Sequence, residues 1–257
     1  MPLSLRQRPA ILLASIAVVL LALSAASCGN DDSDDPTTSA TATDQAEPTT
    51  PGPTPTASPD AAALALLERT VFGEDDVPTG LVALSSVVST NDDVASAASD
   101  ADAQMALFVA WQRLLGMEVV FQPMPGAPAD IPARSVTSAA SAYGSPDGAS
   151  QSYQAAVEEA EGLDWQLQYS NLDDVQVETL DASDLGSDEA YWVRITGLQE
   201  GSTSIDDYVL MRTGVLRLFV RVVSLGAEVD GRSDNTEIVR ELAEAQAGRG
   251  LAALEGS

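Results

Sequence analysis

Past residue 60 the apolar positions follow two rhythms. Ala63, Leu64 and Leu67 form a stripe behind Ser58 as N-cap and Pro59 as first helical residue, which predicts a short helix. Val77, Pro78, Thr79 and Gly80 spell a turn, and Leu81 to Ser89 read as a strand. Ala101, Met105, Phe108, Trp111 and Leu115 recur at helical spacing, with Gly116 placed as a left-handed terminal residue. Strands are predicted over 117–124 and 135–143, then a helix opening at Ser145 and Pro146, carrying Ala149, Tyr153, Ala156 and Ala160, and ending at Gly162. Leu163, Trp165, Leu167 and Tyr169 alternate with polar residues as a half-buried strand does. Further strands are predicted over 175–180, 190–196, 204–211 and 215–225. A last helix starts near Asp234, with Glu237 as its capping partner, and runs through Ile238, Leu242 and Ala245. Most strands follow one another too closely for crossover helices. The expectation is a single α+β domain over 61–257, a mainly antiparallel sheet of about six or seven strands covered by three or four helices.

The first 60 residues break both rhythms. Arg6 and Arg8 precede an uncharged apolar run from Ile11 to Leu23, and the small residues Ser24, Ala25, Ala26 and Ser27 lead to Cys28. Residues 1–27 resemble a bacterial lipoprotein signal peptide, whose lipobox ends at a cysteine that receives diacylglycerol and becomes the mature N-terminus. The resemblance implies lipidation at Cys28, palmitate-type acyl chains and a cell-envelope address on the extracytoplasmic side of the membrane. The same apolar run approaches the length of a membrane-spanning anchor, the competing reading. Residues 28–60 shift to Asp, Thr, Ser and Pro, with Asp31, Asp32, Asp34 and Asp35 followed by five prolines from Pro48 to Pro59. Such a segment cannot bury a core and is expected to act as an acidic, disordered tether.

Composition then removes mechanisms. The 257 residues hold 39 acidic and 12 basic side chains, a net charge of -27, with no His, one Cys and no Lys. A Ser-His-Asp triad, a Cys-His pair, an imidazole metal site, a Walker loop and a Schiff base are all excluded. One cysteine closes no disulfide within the chain. No cofactor is expected, and the charge argues against a nucleic-acid partner. The expected partners are the membrane, through the N-terminal lipid, and an envelope protein or small ligand.

Leu185, Gly186, Ser187, Asp188, Glu189 and Ala190 ahead of a strand, Arg212, Thr213 and Gly214 between two strands, and a closing helix form a second resemblance. These phrases are similar to exported bacterial domains of two related kinds, the sensor domains of actinobacterial serine/threonine kinases and the PsbP/Mog1-like domains. The resemblance implies an exported α+β domain and assigns no functional residue.

Candidate chemistry is concentrated in the last hairpin. Leu216, Leu218, Val220 and Val222 alternate with Arg217, Phe219 and Arg221, so the two sets lie on opposite sheet faces. A three-residue loop at Arg212, Thr213 and Gly214 would set Asp207 opposite Phe219, and is preferred because β-branched Thr213 resists the positive φ of a tight turn. A two-residue Thr213-Gly214 turn would set Asp206 opposite Arg221. Either register brings one Asp to Arg221. With Trp192 and Arg194 on a nearby strand, the candidate ligand or partner face is Trp192, Arg194, Arg217, Phe219 and Arg221, suited to an acidic group or a sugar; the plainer alternative is arginine stems shielding the sheet. Adjacent carboxylates at Asp92-Asp93, Glu158-Glu159, Asp173-Asp174 and Asp206-Asp207 leave a carboxylate-only glycoside hydrolase open. Glu228, Asp230, Asp234 and Glu237 are a calcium alternative, against simple helix capping. The leading expectation is a non-enzymatic, lipid-anchored binding domain; a carrier holding an apolar ligand or lipid in a cavity under the sheet is the main alternative.

Overall fold

The structure is a computed structural model that describes residues 59–127, 131, 133–226 and 231–256, with the backbone alone at 59, 225–226 and 231–235. The lipobox, Cys28, the tether up to Ser58, and Glu228 and Asp230 lie outside the described residues. No helix among the described residues is long and apolar enough to cross a membrane.

Seven strands form one antiparallel sheet in the order β1-β2-β3-β7-β6-β5-β4. They are β1 (Leu81–Ser89), β2 (Arg113–Pro123), β3 (Ser135–Tyr143), β4 (Asp173–Leu180), β5 (Glu189–Gln199), β6 (Ser202–Thr213) and β7 (Leu216–Gly226). The helices are α1 (Pro59–Thr70), α2 (Asn91–Ser96), α3 (Ala101–Ala110), α4 (Pro146–Gly162), α5 (Trp165–Gln168) and α6 (Gly231–Glu255). The α+β class and the antiparallel sheet are therefore as the alternation predicts, and the strand count is seven. The helices exceed the three or four expected because α2 and α5, of 6 and 4 residues, are too short to show a periodic stripe.

Two helices cover one face and four the other. Helices α1 and α6 lie on β2, β3, β6 and β7 and touch each other. Under them Leu67, Phe121, Val136, Trp192, Met211, Leu216 and Leu218 are almost wholly buried in the main core. Helices α2 and α3 stand over β2 on the opposite face, α4 over β3, β6 and β7, and α5 beside β4. Period-two alternation sorts the residues: even-numbered positions of β7 enter the main core, and odd-numbered ones face α4.

Three local expectations are corrected. The helix read as far as Leu115 ends at Ala110, and the chain turns through Gln112 at φ 55° into β2. Leu115 and Gly116 are thus strand residues, paired with Ala142 and Ser141. The alternation at 163–169 is a one-turn helix, because the Asp164 carboxylate accepts from the Leu167 amide and turns the chain. It brings Trp165 and Tyr169 to one side and leaves Leu167 exposed. The β6–β7 turn is Gly214-Val215, so neither proposed register holds: Thr213 pairs with Leu216 and Tyr208 with Arg221. Gly214 at φ 55° supplies the positive φ at the first turn position, which frees Thr213 to remain in the strand.

Candidate functional site

Adjacent carboxylates on β6 show how the two faces differ. Asp207 points to the α1/α6 side, where its oxygens accept from Nε of Arg194 at 2.8 Å, Nη2 of Arg194 at 3.0 Å and Nε1 of Trp192 at 2.8 Å. Burial pushes the Asp207 carboxyl upward, while Arg194 and Trp192 pull against it. Asp206 points to the other face and pairs with Arg221, Nε to Oδ1 at 2.9 Å and Nη2 to Oδ2 at 2.6 Å. Tyr169 and Tyr208 close that cluster through their hydroxyls. Burial opposes the Arg221 charge, but Asp206 outweighs it and the guanidinium stays firmly protonated. An Asp does reach Arg221, through a diagonal register relation.

The five candidate residues therefore do not share one face. Trp192 and Arg194 belong to the α1/α6 side, where Arg194 also bonds Thr236 on α6. The β5–β6 register sets Trp192 opposite Val209, with both in the main core. Arg217, Phe219 and Arg221 face α4 and α5. Of these, Arg221 is bound by Asp206, whereas Arg217 and Phe219 line a cavity.

That cavity, about 230 Å³, lies between the sheet and the layer α2 to α5. Its aromatic end is Trp165, Tyr208 and Phe219, with ring centroids 5.4 Å and 6.0 Å apart in succession. Ala156 and Ala160 of α4 roof that end, and Val94 and Phe108 come from α2 and α3. Small residues on α4 hold the helix close while leaving no side chain long enough to fill the space. Val87 of edge strand β1, 53% exposed, stands at the rim.

A polar row crosses the cavity. Ser89, Gly116, Ser141 and Arg217 are successive register neighbours on β1, β2, β3 and β7, and all line it. Arg113 folds back over Gly116: a Cβ there would stand 2.3 Å from its Nη2 and 2.8 Å from Oγ of Ser89. A bare backbone is what lets the guanidinium lie against the sheet. Arg113 donates to Oδ1 of Asn91 at 2.8 Å and Oγ of Ser89 at 3.1 Å, and its head lies 4.9 Å from the Phe108 ring centre. Burial lowers its pKa to about 10, with the nearby Arg217 charge acting in the same direction. Arg217 donates to Oγ of Ser152 at 2.9 Å. Neither arginine has a carboxylate within ion-pair distance among the described residues.

Two carboxyls complete the surroundings. Glu118 lines the cavity one row from Gly116, and burial pushes its pKa up against the pull of Arg221. Glu159 is buried on the inner side of α4 between Ala156 and Ala160, with neither oxygen hydrogen-bonded. Burial pushes it up to about 7, against the pull of Arg217.

The other carboxylate pairs do not converge. Asp92 and Asp93 begin α2, where Asp93 takes part in a capping box, and Asp173 and Asp174 are exposed on β4. No group of three or more His, Cys, Asp or Glu among the described residues can hold a metal ion. The part that Arg113, Gly116 and Glu159 play here is not read from the sequence, for the first two because their segment reads as helix.

No family model matches the chain, and no curated protein matches it. Among solved structures, the extracellular domain of PknH from Mycobacterium tuberculosis is similar at a TM-score of 0.41 and 10% identity, over 68% of this chain and 94% of that one. A similarity of this size leaves function to the chain's own residues.

Proposed function

We propose that the chain is a lipid-anchored, extracytoplasmic, non-enzymatic binding protein whose domain takes an apolar small molecule in the cavity between the sheet and α2 to α5. The cavity carries this reading: it is mostly apolar, bounded by two layers, and backed by the main hydrophobic core on the opposite face. Anchoring through Cys28 and the acidic tether would hold the domain away from the membrane, since acyl chains supply durable attachment and a net charge of -27 is repelled by anionic lipid. The carboxylate-hydrolase alternative loses support, because Asp206 and Asp207 point to opposite faces and each is bound by an arginine.

The test is native mass spectrometry of the full-length protein released from its own membranes, with organic extraction of the same sample. Retention of a stoichiometric apolar molecule is expected, and its loss should follow a bulky replacement such as Ala156→Trp that fills the cavity. A bare protein that also takes up no added apolar probe would refute the binding role. For the anchor, Cys28→Ala should abolish incorporation of a fatty-acid label and leave an uncleaved precursor; continued labelling would place the lipid elsewhere.

A further inference from the structure

We infer that the ligand of this cavity carries one anionic head, of carboxylate type, seated between Arg113 and Arg217 at the polar row, with its apolar tail lying toward Trp165, Tyr208 and Phe219. The inference rests on the cavity reading above and names the ligand class.

Charge partition is the first support. Arg194, Arg212, Arg221, Arg240 and Arg249 each lie within ion-pair distance of an Asp or Glu. In a chain with 39 acidic residues that is the ordinary fate of an arginine. Exposed Arg69 departs from it on the surface, bonding only backbone carbonyls, whereas Arg113 and Arg217 depart from it in the interior and line the same cavity. Their hydrogen-bond partners are neutral: an amide oxygen, two serine hydroxyls and a carbonyl. Two guanidinium groups near each other, one of them buried, repel and lose hydration, and an anion between them relieves both costs. Among the described carboxylates none sits within ion-pair distance of either: Asp93 acts on Arg113 and Glu159 on Arg217 only from farther away, and Glu118 is drawn to Arg221.

Geometry is the second support. Gly116 leaves the sheet floor open where Arg113 lies, and the hydroxyls of Ser89 and Ser141 border the same spot, at 2.8 Å and 3.2 Å from the absent Cβ. One guanidinium and two hydroxyls converging over a bare glycine, with Arg217 the next residue of the row beyond Ser141, are a donor-rich cradle suited to a planar carboxylate. Two residues along the strands the next row reads Glu118, Ala139, Phe219 and Leu210, and past Glu118 the lining is apolar as far as the neighbouring Tyr208–Val193 pair. Polar head and apolar tail are therefore segregated along one cavity, which a wholly neutral hydrocarbon would not require.

The experiment uses the full-length lipoprotein in phospholipid nanodiscs and reads quenching of Trp165 by bromodecanoate and by bromodecanol, probes alike in chain and different in head. Trp165→Phe separates its signal from that of Trp111, which packs against Phe108 on the cavity side, and from Trp192 on the other sheet face. Bromodecanoate should bind tighter than the alcohol by about tenfold or more, the scale of one charge-assisted contact. Arg217→Gln should remove that preference, weakening bromodecanoate far more than bromodecanol, and Arg217→Lys should restore part of it. Gly116→Ala, which displaces the Arg113 head without deleting it, should reduce the preference in a chain whose near-ultraviolet circular dichroism is unchanged. Equal quenching by acid and alcohol, insensitive to Arg217→Gln, would overturn the anionic head and leave an apolar-ligand protein standing. Quenching by neither probe would overturn the cavity reading itself.

Discussion

The two faces of the sheet are built from the same alternating strands and end in opposite states. Under α1 and α6, leucines, valines and Trp192 close against two long helices, and the buried carboxylate of Asp207 is held by Arg194 and Trp192. Under α2 to α5 the cover comes in shorter pieces, α4 presents alanines, and a cavity remains beside two arginines that form no ion pair among the described residues. Long amphipathic helices fill a sheet groove continuously, whereas several helices meeting over one face leave gaps where their ends diverge. The difference teaches that apolar content alone does not separate a packed core from a binding cavity: the size of the residues on the covering helix does.

If the first face is purely structural, its charge pair should be the costliest to break. Asp207→Ala strands the Arg194 guanidinium and the Trp192 ring N–H in the interior and is expected to cost about 3 to 5 kcal/mol, measured by urea unfolding. Leu218→Ala, which opens a void under α6, should follow at about 2 to 5 kcal/mol. A harmless Leu218→Ala beside a severely unfolded Phe219→Ala would reverse the assignment of the faces.

Glu159 sharpens the contrast through pH. The charged group acting on it is Arg217, from the sheet. Its folded pKa, about 7, lies above its ordinary 4.5, so the folded state holds the proton longer than the unfolded one. The stabilisation is complete below about 4.5 and is lost as pH rises through about 7. Relative to Glu159→Gln, the wild-type protein should therefore weaken over that interval by about 2 kcal/mol, as followed by thermal melts in a pH series. A parallel pH profile in the two proteins would show that Glu159 is solvated. The smallest expected effect on stability is that of Gly116→Ala, about 1 kcal/mol or less, because the atoms it meets are the ends of flexible side chains. A large loss there would mean that Arg113 is a structural strut.

Much of this contrast is legible in the amino-acid sequence alone. The alternation Leu216, Arg217, Leu218, Phe219, Val220, Arg221 separates the faces of β7 unaided, because a strand's period is two. The sheet class follows from strands joined by short links. What fails depends on information that a local window does not hold. Whether Trp192 joins Arg217 or opposes it is decided by pairing across β5, β6 and β7, and a one-residue change in the Gly214 turn inverts the answer. Arg113 is hidden because apolar residues from Met105 to Leu115 keep helical spacing through a junction where Gln112 changes the backbone. One signal does point to it: Gly116, if read as a strand residue, marks a place where another group approaches the backbone closely. The buried Glu159 is indistinguishable in sequence from exposed Glu158 without knowing how α4 is rotated.

The doublet Asp206-Asp207 has a consequence for how the sheet finds its alignment. If β6 slipped by one residue against both neighbours, Asp207 would turn toward the side of Arg221 and Asp206 toward that of Arg194, so each guanidinium would again meet a carboxylate. The two Arg–Asp pairings alone thus score the slipped and native alignments alike. Discrimination falls to bulk: a slip would drive the Tyr208 ring into the layer that Val209 and Met211 fill and pull those two toward the cavity. During folding, shape and not charge carries the alignment information of this strand, and Tyr208 acts as its proofreader.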